Sequence, residues 1–257
     1  MDLIKFFESL LLGLVQGATE FLPVSSSGHL YFLEKIGIGS PSVFFNLALH
    51  IGTLFAAAFY YRKKIFGLLR RPFCGETLNL LTATLATFVV AMLFKTYLRE
   101  WVEGEYLAFG FLATSGVLIA SEVLKRKESF PIDFKRSLVT GIVQGIAVIP
   151  GLSRSGATIS ALMIFGADRE EAANFSFLIS MPVILGGALA TGLEAGAAVF
   201  EPSELLPLVF GMIAAAVSGY FAVGIFVKQI KKRSMLGFAA YTFCMGFLAL
   251  ITAGVRM

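Results

Sequence analysis

Charge is scarce in this chain. Of its 257 residues only 15% are Asp, Glu, Lys or Arg, against 57% hydrophobic, and the mean hydropathy is +0.81. A soluble domain carries about 25% charged residues, so that class is excluded and the chain reads as an integral membrane protein. Cysteine is almost missing: Cys74 falls in a predicted loop and Cys244 in a predicted span, which indicates neither a disulfide framework nor a metal cluster. No cleavable leader is expected either. The apolar N-terminal run has Lys5 as its sole base, is flanked by acids, and is followed by no small-residue cleavage site, so it is expected to stay in the mature protein. The net charge of +4 does not describe a nucleic-acid surface, because the bases sit in short loops between apolar runs, where membrane topology accounts for them.

What is present is apolar length. Six stretches, 43–61, 78–94, 106–121, 175–193, 205–227 and 235–255, contain no Asp, Glu, Lys or Arg and have about the length a helix needs to cross the hydrocarbon. The chain also repeats. Shifted by 128 residues, "SLLLGLVQGATEFLPVSSSG" at 9–28 aligns with "SLVTGIVQGIAVIPGLSRSG" at 137–156 with nine of the twenty positions identical, and Asn46 and Asn174 keep the same offset. The pairs Gln16/Gln144, Ser25/Ser153 and Ser27/Ser155 are polar, so compositional bias does not explain them.

These features predict an all-α polytopic membrane protein, one domain of two halves, 1–128 and 129–257. Each half opens with a broken, re-entrant helix-loop-helix, at 1–42 and at 138–166, and continues with three of the spans. An odd number of spans inverts the second half relative to the first, so the two dipping loops approach one another from opposite faces. Loop charge agrees: one face collects 15 Lys and Arg and the other five, with Arg154 set aside inside the membrane. Both termini are then expected outside.

The dipping loops hold the polar residues. Gln16 and Glu20 lie four apart, on one helix face. Ser25, Ser26 and Ser27 look like caps for the helix "GHLYFLEK", with His29 one turn in; Ser153, Arg154 and Ser155 open a second helix, with Thr158 in its first turn. Under the repeat Glu20 matches Val148, Ser26 matches Arg154 and His29 matches Ala157, so the loops are complementary. United, they would offer a carboxylate, an imidazole, a guanidinium, hydroxyls and two helix N-termini, a set suited to phosphate. An intramembrane Arg costs about 2.5–3.5 kcal/mol on insertion scales, which argues against mere packing for Arg154 and Glu20. Gly13/Gly17 and Gly141/Gly145 read as helix-packing positions. His50 reads as a packed or locally hydrogen-bonded side chain, and "YYRKK" and "KKR" read as orientation signals with anionic lipid as a secondary contact.

The segments "QGATEFLPVSSSGH" and "PGLSRSGAT" resemble the two signatures of bacterial undecaprenyl-diphosphate phosphatases of the bacitracin-resistance type. The resemblance extends over nearly the whole chain through "NLALHIGTL" and "NFSFLISMPV". It implies a bacterial cytoplasmic-membrane enzyme with an outward-facing site that removes the terminal phosphate of undecaprenyl diphosphate, recycling the carrier for cell-wall synthesis. It further implies a divalent cation, magnesium or calcium, with Glu20 and Gln16 as candidate ligands; Gln16 stands where the family has Glu or Gln, leaving one carboxylate. By the same carry-over Glu20, Ser26, His29 and Arg154 are candidate catalytic residues, with Ser25, Ser27, Ser153, Ser155 and Thr158 around the phosphate. The nucleophile stays open between Ser26, His29 and water. Expected partners are a polyprenyl diphosphate and membrane lipids, no nucleic acid, with a homodimer left open. The competing reading from the residues is a secondary transporter or lipid flippase, since inverted repeats with half-way helices suit transport.

Overall fold

Polar residues open several helices that apolar runs then extend. In the computed structural model, which describes residues 3–39, 42–102, 106–126, 129–195 and 204–254, Ser42 accepts the Phe45 N–H, Asp133 the Arg136 N–H and Ser153 the Gly156 N–H, each capping a helix start. Twelve helices and no strand are found among the described residues: α1 (Leu3–Phe21), α2 (Ser26–Lys35), α3 (Val43–Tyr60), α4 (Arg62–Leu69), α5 (Gly75–Tyr97), α6 (Arg99–Val102), α7 (Leu107–Leu124), α8 (Phe134–Ile146), α9 (Arg154–Ile164), α10 (Arg169–Ala195), α11 (Leu205–Ile230) and α12 (Leu236–Gly254). Five, α3, α5, α7, α10 and α11, are long and apolar enough to cross a membrane; α12 holds a somewhat shorter apolar run.

Helix ends and charge-free windows do not coincide. The run at 78–94 lies inside the 23-residue α5, and the run at 175–193 begins six residues into α10. Glu170 and Glu171 in the first turn of α10 complement its dipole, and Asp168 accepts the Glu170 N–H, so acidic residues that a hydropathy window rejects favour the helix start. The first broken segment is also longer than expected: α1 has 19 residues, close to a crossing length, because its helix continues through Lys5 and Glu8, whereas α8 has 13.

Packing follows the glycines. A Cβ on Gly13 would strike the Gly211 carbonyl and one on Gly17 the Ala215 carbonyl, so α1 lies backbone to backbone on α11. Gly141 meets the Ala83 carbonyl and Gly145 that of Thr87, so α8 lies in the same way on α5. Adding 128 to each partner in the second pair of helices recovers the first: 83 becomes 211 and 87 becomes 215. Helix α3 packs on α10 and α7 on α12, and each of these pairs maps onto itself under the same exchange. The core beneath the first turn is aromatic, with Phe21 edge-on to Phe177 at 5.4 Å and Phe177 against Phe226 at 5.8 Å. Leu81, Leu85, Val89 and Met92 stand exposed along one face of α5, a stripe suited to hydrocarbon.

Candidate active site

The two loops touch. Gly28 packs against Gly151, and Gly156 against Pro23, contacts again related by the 128-residue offset. The Ser155 hydroxyl donates to the Leu22 carbonyl at 2.9 Å, tying the second loop to the first. Each loop turns directly into a capped helix: Ser25 accepts the Gly28 N–H and Ser153 the Gly156 N–H, at 3.3 and 3.1 Å. Ser25 alone among the described non-glycine residues has a positive φ, 68°, a conformation that costs about 1–3 kcal/mol, and its carbonyl accepts both the backbone N–H and the ring of His29.

Glu20, at the C-terminal end of α1, is the hub. Its Oε1 accepts from Arg154 Nη2 at 3.0 Å, a half-buried charge pair joining the halves. Its Oε2 accepts from Gln16 Nε2 at 2.9 Å and from the Ser26 hydroxyl at 2.5 Å. Both oxygens of a carboxylate whose side chain is 2% exposed are therefore held, and the negative charge is matched at once by a positive one. Arg154 keeps one arm free: Nη1 is buried and has no protein partner, although a buried guanidinium N–H left unpaired is costly. Gln16 Oε1 is a buried acceptor in the same condition.

His50, expected as a packed or locally bonded side chain, belongs to this cluster. Its Nδ1 lies 3.0 Å from Gln16 Nε2 and 3.8 Å from Glu20 Oε2. Nothing in the repeat marks it, because its match is Leu178. His29 lies on α2 one turn beyond Ser26. Its Nδ1 is 2.7 Å from the Ser25 carbonyl and its Nε2 2.6 Å from the Tyr241 hydroxyl on α12. Tyr241 was not singled out by sequence and has Ala113 as its match. Thr114 was also missed: it donates to the Gly151 carbonyl at 2.8 Å and accepts the Ser153 N–H at 2.8 Å, shaping the second loop. The offset could have found it, since Thr242 is its match.

Gln16, Glu20, Ser26 and Arg154 thus converge on one point. Ser25 and Ser153 cap, and their hydroxyls lie 3.4 and 3.3 Å from those of Ser27 and Ser155. Thr158 is fully buried and bonds the Ser176 hydroxyl at 2.6 Å and the Arg154 carbonyl at 2.9 Å, so as placed it braces the helix that carries the arginine. No group of three His, Cys, Asp or Glu side chains forms a cation cage among the described residues. A magnesium ion that takes most of its ligands from phosphate and water needs only one or two protein oxygens, and the orphaned Gln16 Oε1 beside the Glu20 carboxylate fits that kind of site. A mostly apolar cavity of about 470 Å³ lies under the first turn, lined by Leu22, Val24, Phe226, Phe238 and Tyr241 and, toward the loop after α11, by Gln229 and Arg233.

A polytopic helical protein that gathers a guanidinium with a free arm, a paired carboxylate, a short-bonded serine and two capped helix starts around one point presents the donor set of an anion site between its helices. The chain belongs to the bacitracin resistance protein BacA family, whose sequence profile matches residues 9–248. It is similar to the undecaprenyl-diphosphatase of Carboxydothermus hydrogenoformans, at 38% identity over 95% of this chain and 96% of that one. Undecaprenyl-diphosphatase 3 of Bacillus cereus is 35% identical over 96% and 97% of the two chains, and the undecaprenyl-diphosphatase of Halothermothrix orenii 34% identical over 98% and 99%.

Proposed function

We propose that this protein hydrolyses undecaprenyl diphosphate to undecaprenyl phosphate and inorganic phosphate, at the bacterial cytoplasmic membrane, returning the lipid carrier to cell-wall synthesis. The observation that carries the reading is the buried, unpartnered Nη1 of Arg154, an anion donor waiting inside a lipid-accessible protein. The names of the relatives supply the substrate and favour chemistry over transport.

In this reading the terminal phosphoryl group lies between Arg154 and Ser26. A nucleophile in reach of a base that a third group orients is the pattern of covalent catalysis, and Ser26, Glu20 and the Gln16/Arg154 pair have that arrangement. Ser26 Oγ attacks the terminal phosphorus and passes its proton to Glu20 Oε2, while the bond from that phosphorus to the bridging oxygen breaks and undecaprenyl phosphate leaves. Water then attacks the phosphoserine, giving a proton back through Glu20, and releases phosphate with Ser26 restored. The diphosphate, more negative than one carboxylate, competes for the guanidinium and frees Glu20 to take the proton. Arg154 and the N–H groups opening α2 and α9 stabilise the charge that develops on the transferred oxygens. Gln16 Oε1 and Glu20 would hold a divalent cation, which neutralises the diphosphate when bound.

The repeated contacts at an offset of 128 residues support an inverted-topology repeat, with each polar loop entering from its own face. The excess of bases on one side supports both termini outside, while an outward-facing site is what the family resemblance implies. The test is purified protein in detergent, without sealed compartments. Steady phosphate release from undecaprenyl diphosphate is expected, and its loss in Arg154→Ala. A folded protein that releases none refutes the reading, and near-normal turnover in Arg154→Ala refutes the role of the arginine.

A further inference from the structure

The sequence drew attention to His29, and the structure adds the residue that holds it. We propose that Tyr241 is a positioning residue of the site, fixing the tautomer and the ring plane of His29 from the far end of the chain. The proposal rests on the phosphatase reading for its consequence, but on geometry for its substance.

His29 is constrained on three sides. The Ser25 carbonyl can only accept, so the 2.7 Å contact makes Nδ1 the N–H donor. In the neutral ring Nε2 then carries the lone pair, and the Tyr241 hydroxyl, 2.6 Å away, donates to it. The two rings lie nearly parallel, 4° apart with centroids at 5.6 Å, and Phe111 meets the imidazole edge-on at 5.5 Å. The carbonyl on the Nδ1 side belongs to Ser25 and is held there by the His29 backbone N–H, which donates to it at 3.2 Å. A backbone carbonyl accepting from one nitrogen and a phenol donating to the other leave one ring orientation and one tautomer. Tyr241 also walls the cavity between α1, α11 and α12. It is the closing helix, α12, that supplies this contact, 212 positions from His29.

The chain has two histidines, His29 and His50, so ¹⁵N-histidine NMR of the full protein in detergent micelles reads the pair directly, with His50→Gln assigning the signals. The wild type is expected to show His29 with Nδ1 protonated and Nε2 a hydrogen-bonded acceptor. In Tyr241→Phe, which keeps the ring and its stacking, the Nε2 resonance should move toward an unbonded nitrogen and the second tautomer should appear. His29 Nδ1–H holds the carbonyl of Ser25, the residue before the nucleophile Ser26, so turnover of undecaprenyl diphosphate should fall about three- to ten-fold in kcat with KM unchanged, the size of one hydrogen bond. An unchanged His29 spectrum overturns the proposal, as does a changed spectrum with unchanged kcat, which would make the contact real but idle. If the wild type released no phosphate at all, the functional reading would fail while the NMR arm still judged the contact.

Discussion

Arg154→Lys separates the two arms of the guanidinium. Nη2 is committed to Glu20 Oε1 at 3.0 Å, whereas Nη1 is buried without a partner. A lysine keeps one positive charge beside Glu20 but has no planar fork with which to reach a second acceptor. Alanine is the blunter change, since an uncompensated carboxylate in this setting costs about 3–5 kcal/mol and endangers folding. For lysine the carboxylate stays paired, and the expected shift in melting temperature is no more than a few degrees, the equivalent of ~1 kcal/mol. Turnover should suffer far more. A donor aimed at charge that develops in the transition state is worth about 2.7–4 kcal/mol, so kcat should fall ~10²–10³-fold. The assay is phosphate release from undecaprenyl diphosphate in detergent, with thermal unfolding of the same samples. Activity within about three-fold of wild type, in a folded variant, would refute the reasoning that the free arm grips the transferred group.

Three further outcomes follow from named contacts. Chelation should abolish phosphate release and added magnesium or calcium should restore it, with Gln16→Ala needing about ten-fold more cation; full activity in chelator would remove the cation from the account. Ser25→Ala loses the cap and keeps the strained φ, so it should lower stability by about 0.5–2 kcal/mol, whereas Ser25→Gly relieves the strain and should cost less; the reverse order in thermal unfolding contradicts the backbone reading. Gly17→Ala drives a methyl into the Ala215 carbonyl and the Gly219 backbone and should destabilise markedly, while Gly116→Ala, with open space around it, should be neutral or slightly stabilising.

Most of the helical framework was legible because lipid imposes a simple rule: long runs without charge must be helical. The glycines at 13, 17, 141 and 145 were legible as packing positions because close backbone approach demands a missing side chain, and their partners on α11 and α5 keep the same offset. The helix limits of α1, α5 and α10 were not, since Lys5, Glu8, Glu76 and Glu170 sit comfortably in helices whose ends leave the hydrocarbon. Among the site residues, Gln16, Glu20, Ser26 and Arg154 stood out as polar groups inside apolar segments. His50 and Tyr241 did not: each is a single residue on an apolar helix, matched in the other half by Leu178 and Ala113, and only tertiary packing brings it to Gln16 or His29. Thr114 was readable in principle through Thr242, but a threonine in a membrane helix ordinarily bonds its own backbone, and nothing local distinguishes one that also holds a distant loop.

The central claim is that the two polar loops, one from each half, meet in a single site. A disulfide test reads this most directly: a Cβ at Gly156 would lie 3.2 Å from that of Pro23, close to the roughly 3.5–4.5 Å that a disulfide spans. In a Pro23→Cys/Gly156→Cys variant with Cys74 and Cys244 replaced by serine, oxidation followed by trypsin should leave the two fragments joined until reductant is added, with the bond formed within one chain. Fragments that separate without reductant, or that join only between chains, would contradict it.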